Sequence, residues 1–290
     1  MNGWALAIKR MSLGMVNGLH RRKFSALLTR VDVPSTDHWL VPTLIIRPAA
    51  LNSAAPALIY YHGGGFVMRP IPQHLENAVR YAREVPCIVV FPEYRLAPGH
   101  VFPAGFNDCY ATLTWMISNV ASLNVDATRV AVGGDSAGGG LAAGVAQRAL
   151  QEDRFALRGQ MLLYPNVDLA CARESMRRFS DMPPFKGHSN LRTAEAYLGH
   201  PVSSAVPRYA SPISGNLTGL APAYIETPEF DPSHDQGNAY ARALAVEGVE
   251  VELNEIGGGL HGFDLLVPSS GISNDAMCRR IGFLRRIFER

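Results

Sequence analysis

At 290 residues, 47% of them hydrophobic and 18% charged, the chain can bury a sizeable core and reads as one main domain with a small appendage. Its 27 basic and 25 acidic residues leave a net charge of +2, without the polyelectrolyte face that a nucleic-acid partner would require. Cys87, Cys109, Cys171 and Cys278 are scattered without metal-ligand spacing, which predicts free buried thiols rather than a metal site.

Met1 to Leu19 is fairly apolar, but Lys9-Arg10 interrupts it and no signal-peptide core with a clear cleavage site is present. No stretch reaches the length of a membrane-spanning helix, so the expectation is a cytoplasmic protein with reduced thiols and no stable membrane insertion. Ala57 to Tyr61 (Ala-Leu-Ile-Tyr-Tyr) reads as a buried strand that runs into His62-Gly63-Gly64-Gly65-Phe66. Three successive glycines let the chain turn its amides inward with no side chain blocking a bound oxygen. His62, at the strand end, is expected to hold this loop by hydrogen bonds.

Val130 to Val132 reads as another strand and Gly139 to Ala146 as a helix of small residues, joined by Gly134-Asp135-Ser136-Ala137-Gly138. A turn this short forces the serine into a strained conformation and leaves no room for side chains two positions to either side. It raises the Ser136 hydroxyl above the strand ends, beside an anion-binding helix N-terminus led by the Ala137 amide. Gly-x-Ser-x-Gly alone arises by chance in roughly one chain in ten of this length, so the glycine loop at 62–66 is what gives it weight.

After the strand Gln160 to Tyr164, residues 166–215 carry Pro183-Pro184, Gly187 and a helical patch at Leu191 to Leu198. That is too long for a plain loop in a compact domain and reads as a lid with its own short helices. Ala221 to Thr227 then reads as a strand with Asp231 just past its end, Gly237 to Glu247 as a helix closed by Gly248, and Val249 to Ile256 as a strand. Gly257-Gly258-Gly259-Leu260 leads from there to His261. A parallel, right-handed strand-helix-strand unit brings Asp231 and His261 to the same sheet edge as Ser136, where open α/β sheets bind ligands. On the last helix, Met277, Ile281, Leu284 and Phe288 form an apolar stripe, and the doublets Arg279-Arg280 and Arg285-Arg286, like Arg21-Arg22, are expected on solvated faces.

The chain resembles the hormone-sensitive-lipase-like family of carboxylesterases, in the group whose nucleophile motif reads Gly-Asp-Ser-Ala-Gly. The resemblance rests on His62 to Phe66, Tyr94-Arg95-Leu96-Ala97-Pro98, Phe102-Pro103-Ala104, Gly134 to Gly139, Glu229-Phe230-Asp231-Pro232 and His261-Gly262-Phe263. It implies an α/β-hydrolase fold with a mostly parallel central sheet flanked by helices. Residues 41–165 and 216–290 would form the catalytic domain, and 166–215 with 1–40 a small helical cap. It implies Ser136 as nucleophile, His261 as base and then acid, and Asp231 as the orienting carboxylate, the serine-acid-histidine order of that fold. Gly64, Gly65 and Ala137 would present N–H groups to the oxyanion.

Asp235, Glu229 and Asp264 also lie near the acid or base, but carboxylates there more often cap helices or pair at the surface. His234 is expected to be solvated, and His188 and His200 lie in an irregular region away from the chemistry. Pro228, Ser233-His234 and Gly99 depart from the family pattern and could shift the acid loop or remove a supporting ion pair. The expected substrate is a small-molecule ester of short to medium acyl length, with no cofactor and no metal required. Met11, Phe24, Met182, Phe185 and Tyr197 are candidates for the acyl pocket or for packing of the cap. Lipase, amidase, lactonase or thioesterase activity on the same triad remains open, as does a ligand receptor, although receptors resembling this family lack the histidine that is present here as His261. A homodimer is suggested by resemblance alone.

Overall fold

In the computed structural model, the described residues are 28–290 apart from 49, 50, 52, 154 and 203–205. Eight strands form one sheet: β1 (Leu28–Pro34), β2 (Leu40–Ile46), β3 (Ala55–Tyr61), β4 (Ile88–Pro92), β5 (Val125–Asp135), β6 (Gly159–Leu163), β7 (Ala223–Phe230) and β8 (Val251–Leu260). Their order is β1-β2-β4-β3-β5-β6-β7-β8, antiparallel for β1 with β2 and β2 with β4 and parallel from there on. This is the expected mostly parallel sheet of an α/β-hydrolase fold. All seven residues of β3 are buried, because helices cover both faces and a parallel strand then reads as a continuous apolar run.

Side chains of β3 divide between two cores by their two-residue period. Ala57, Ile59 and Tyr61 pack on the side of α2 (Ala104–Ser118), α4 (Ala137–Gln151) and α7 (His234–Val246). Leu58 and Tyr60 face α1 (Pro72–Glu84) and α9 (Gly271–Glu289). The short α3 (Val120–Leu123) leads into β5, and α8 (Phe263–Leu266) precedes α9. Between β6 and β7 lie α5 (Glu174–Arg178), α6 (Gly187–Leu198) and a single 3-10 turn at Pro212–Ser214.

The stripe Met277, Ile281, Leu284 and Phe288 is buried as expected, each side chain of this size being worth about 1.5–3 kcal/mol when fully removed from water. The arginine doublet beside it divides. Arg279, Arg285 and Arg286 are exposed, but Arg280 is fully buried, because Glu226 and Asp264 meet its guanidinium inside the protein. Asp264 is correspondingly interior rather than a surface carboxylate.

Several boundaries also differ from the sequence pattern. Strand β8 continues through Gly257, Gly258 and Gly259 to Leu260, because Leu260 pairs with Phe230 beyond a register shift and Glu229 accepts the Gly258 N–H at 2.8 Å. Helix α7 starts at His234, three residues before Gly237, with Ser233 as its cap residue. Cys87 and Cys109 are buried free thiols, Cys171 is half-buried and Cys278 is exposed. Of the segment 1–40, residues 1–27, including Met11, Arg21-Arg22 and Phe24, lie outside the described residues, and Leu28–Pro34 forms β1 at the sheet edge. Among the described residues no helix is long and apolar enough to cross a membrane, and no group of three or more His, Cys, Asp or Glu side chains is placed to hold a metal ion.

Candidate active site

Ser136 sits between the last residue of β5 and the first of α4 with φ 52° and ψ −117°, a left-handed backbone that an L side chain disfavours. The turn is held on both sides: the Ser136 N–H donates to the Leu163 carbonyl at 2.8 Å, and its own carbonyl accepts the Asn166 N–H at 2.9 Å. The flanking glycines are sterically required. A Cβ on Gly134 would lie 2.5 Å from the Gly138 backbone and from the Tyr61 oxygen, and one on Gly138 would collide with the Tyr61 and His62 carbonyls.

Three side chains distant in sequence meet at the carboxyl ends of the strands. The Ser136 Oγ is 2.9 Å from His261 Nε2, and His261 Nδ1 is 2.9 and 2.8 Å from the two carboxylate oxygens of Asp231. Asp231 follows β7 directly, is fully buried, and accepts the Ser233 N–H at 2.6 Å. The carboxylate only accepts, so Nδ1 carries the proton and donates, which leaves Nε2 as acceptor for the serine hydroxyl. Burial by itself would push the imidazole pKa down. The charge and hydrogen bond of Asp231, with the charges of Asp135 and Asp264, outweigh burial and hold His261 above its ordinary value.

The glycine loop lies alongside. Gly64 and Gly65 adopt φ of 121° and 59°, and among the described residues no acceptor takes either N–H. Ala137 opens α4, where the first amides have no intrahelical partner. His62 anchors this loop: its Nδ1 donates to the Gly63 carbonyl at 2.7 Å and its ring stacks on Tyr94, with centroids 4.4 Å apart. Burial pushes its pKa down to about 3, so it stays neutral. Tyr94 also donates to the His62 carbonyl at 2.7 Å, and the Ala97 N–H to that of Phe66 at 2.9 Å, so the segment around Tyr94 to Pro98 supports the loop from below.

Asp135 was not singled out by sequence reasoning, yet it ties the site together. Fully enclosed, its carboxylate accepts the Tyr60 hydroxyl at 3.0 Å, the Gly63 N–H at 3.0 Å and His74 Nε2 at 3.1 Å. His74 Nδ1 accepts the Ile71 N–H at 3.0 Å, which places the His74 proton on Nε2 facing Asp135. An aspartate directly before the serine was the available signal; nothing in the sequence pointed to His74.

The other candidates lie apart from the imidazole. Asp235 accepts the Ser175 N–H at 2.8 Å, Glu229 holds Gly258, and Asp264 accepts from Arg280, Tyr164 and Asn77. His234 is half-buried beside Asp235 and Glu255, while His188 and His200 bond the carbonyls of Ser180 and Pro201. From the segment between β6 and β7, the Phe185 ring contacts His261 edge-on at 5.0 Å, and Tyr197 of α6 stacks on Phe66 at 4.0 Å.

The family model described as "alpha/beta hydrolase fold" matches residues 58–265, the span that holds Ser136, Asp231 and His261. The chain belongs to the α/β-hydrolase fold family. It is 35% identical to the carboxylesterase NlhH of Mycobacterium tuberculosis over 85% of this chain and 78% of that protein. It is 34% identical to an ethyl acetate hydrolase of Pseudomonas putida over 81% of this chain and 75% of that one. A bacterial heroin esterase of known structure superimposes with a TM-score of 0.89 at 34% identity, covering 96% of this chain and 90% of the other. These likenesses make this α/β hydrolase an ester-cleaving serine hydrolase, related to the hormone-sensitive-lipase-like esterases.

Proposed function

We propose that the chain is a carboxylesterase of the Gly-Asp-Ser-Ala-Gly group, cleaving small esters of short to medium acyl length through an acyl-enzyme, with Ser136 as nucleophile, His261 as base and Asp231 as its orienting carboxylate. The observation that carries this reading is the unbroken hydrogen-bond chain from Asp231 through His261 to Ser136. His261 takes the hydroxyl proton at Nε2 as Ser136 Oγ attacks the ester carbon, and Asp231 stabilises the imidazolium that forms. The carbonyl oxygen becomes an oxyanion that the Gly64, Gly65 and Ala137 amides receive, each such donor being worth about 3 kcal/mol in the transition state. Collapse expels the alcohol, protonated by His261, and water then repeats the sequence on the acyl-enzyme.

Residues 166–215 act in this reading as a cap. Phe185 lies against the base, Thr193 of α6 faces Gly65, and Tyr197 covers Phe66, so the approach to Ser136 is roofed by side chains rather than open to a lipid surface. Ser136 and His261 are correspondingly only 9% and 7% exposed. The short acyl preference draws support from that enclosure and from the relative named for ethyl acetate.

The test is turnover of p-nitrophenyl esters from acetate to palmitate by the natural chain and by Ser136→Ala. The natural chain should be fastest on short acyl groups, and the variant should fold but be almost inactive. Undiminished turnover by Ser136→Ala refutes the assignment. Rates that keep rising with chain length, and jump above the substrate's solubility limit, refute the acyl range.

A further inference from the structure

A buried charged cluster lies behind His261. Arg280 of α9, fully buried, donates from Nη1 to Asp264 at 2.6 Å and from Nε to Glu226 at 3.1 Å, with Nη2 also on Glu226. Asp264, three residues after the base, takes the Tyr164 hydroxyl on its other oxygen at 2.6 Å. The Tyr164 ring in turn meets the His261 imidazole edge-on, with centroids 5.0 Å apart. One cation for two carboxylates leaves the cluster with an excess negative charge on the side of the base.

Tyr164 occupies a demanding position. Its φ is 36°, a region that an L side chain enters at a steric cost glycine would avoid. Its N–H donates to the Glu226 carbonyl at 2.7 Å. Its chain neighbours Leu163 and Asn166 hold the Ser136 backbone from either side. The segment 163–166 therefore holds the serine turn through the main chain and abuts the histidine through the Tyr164 ring.

We propose that Asp264, anchored by Arg280 and acting through Tyr164, is a positioning residue that fixes the His261 imidazole relative to Ser136. The inference rests on the roles of Ser136 and His261 proposed above. The hydroxyl bond to Asp264 fixes where the Tyr164 ring stands, and the ring limits how far the imidazole can tilt away from the serine oxygen. Misplacement of reacting atoms by a fraction of an ångström to an ångström is enough to lower a rate by one to two orders of magnitude.

The charge of the cluster acts alongside the geometry. His261 bonds Asp231 after β7 and meets the Tyr164 ring after β6, while Asp135 at the end of β5 and Asp264 on α8 act on it through their charge. His74 of α1 stands behind Asp135, and Glu226 of β7 and Arg280 of α9 stand behind Asp264. Asp264 favours the imidazolium through its charge, so neutralising it should ease proton loss from His261.

The experiment compares Tyr164→Phe, Asp264→Asn and Leu284→Ala with the natural chain, with Ser136→Ala as reference. kcat, KM, the pH profile of kcat/KM and Tm are measured for each on p-nitrophenyl acetate. Tyr164→Phe keeps the ring but frees it, and kcat should fall about tenfold with KM within about twofold. Asp264→Asn should in addition move the acid limb of the profile to lower pH. Leu284→Ala, a core truncation on α9, should lower Tm without either effect. If Tyr164→Phe and Asp264→Asn behave like Leu284→Ala in kcat and acid limb, the cluster is structural and the inference is overturned. Should Asp264→Asn fail to fold, the kcat of Tyr164→Phe decides alone. Turnover by Ser136→Ala would instead overturn the function on which the inference rests.

Discussion

Replacing Asp135 by asparagine and by alanine separates the two tasks this carboxylate performs. In Asp135→Asn the amide oxygen can keep the Tyr60 hydroxyl and the Gly63 N–H, which both reach Oδ1 at 3.0 Å. The amide NH2 then faces His74 Nε2, and that nitrogen carries a proton because Nδ1 is occupied by the Ile71 N–H. Two donors oppose each other in a site without water access. One buried donor left unsatisfied costs about 1–3 kcal/mol. For a domain of this size that corresponds to a fall in Tm of roughly 2–5 °C. The glycine loop stays tied, so kcat should fall less than about tenfold, well under the 10²–10³ worth of a lost oxyanion donor. Asp135→Ala removes the acceptor of the Gly63 N–H as well and unties the loop that carries Gly64 and Gly65. Its kcat should fall by about a hundredfold, approaching the loss of one oxyanion donor. Thermal unfolding and ester turnover on both variants make the comparison. Equal losses of kcat in the two would mean that the charge, and not the hold on Gly63, is what matters. Unchanged kcat in Asp135→Ala would refute the anchoring argument outright.

Two further outcomes follow from the site. In the proposed reaction His261 must be neutral to accept the serine proton, and Asp231 favours its charged form, so kcat/KM should be full at alkaline pH and decline as pH drops through a value above the ordinary histidine 6.5; a pH-rate profile with its acid limb below 6.5 contradicts this. Gly138→Ala drives a methyl group into the Tyr61 and His62 carbonyls and should cost on the order of 3 kcal/mol or more with loss of most activity, whereas Gly271→Ala, with nothing within 4 Å of the added carbon, should shift stability by less than about 0.5 kcal/mol; similar melting curves for the two would show that the elbow does not need its glycine.

The parts of the site that could be read in the sequence are those where the chemistry demands missing side chains or a fixed place after a strand. Gly134 and Gly138 are legible because two backbones approach too closely there for any Cβ. Ser136, Asp231 and His261 could be placed on one edge because each directly follows a strand of a largely parallel sheet. What escaped depends on partners without a local pattern. His74 reaches Asp135 across 61 residues, and Arg280 reaches Glu226 across 54. An arginine beside another arginine on an amphipathic helix reads as solvent-facing, and only the two carboxylates brought in by β7 and α8 make its burial tolerable. The glycines before His261 misled in the opposite direction: they read as a loop, but β7 supplies a pairing partner as far as Leu260.

Backbone strain around the pocket has a common origin. Phe66 follows β3 with φ 64°, Ser136 follows β5 with φ 52°, Tyr164 follows β6 with φ 36°, and Gly262 follows β8 with φ 69°. Each reverses the chain soon after a strand ends, which points amides and side chains into the crevice instead of letting them continue outward. Only one of the four is glycine, and a left-handed backbone costs a non-glycine residue about 1–2 kcal/mol. Three such residues therefore cost roughly 3–6 kcal/mol, comparable with the lower end of a domain's net stability. That sum is sustained because the turns are held from outside: Phe66 by its stack on Tyr197 and the bond from Ala97, Ser136 by Leu163 and Asn166, Tyr164 by Glu226 and Asp264. The end of β7 needs no such reversal, because there the Ser233 N–H orients the Asp231 carboxylate. The rigidity of the site is thus a property of the packed sheet beneath it, and the residues bearing the strain are those whose side chains or carbonyls face the reacting atoms or their immediate neighbours.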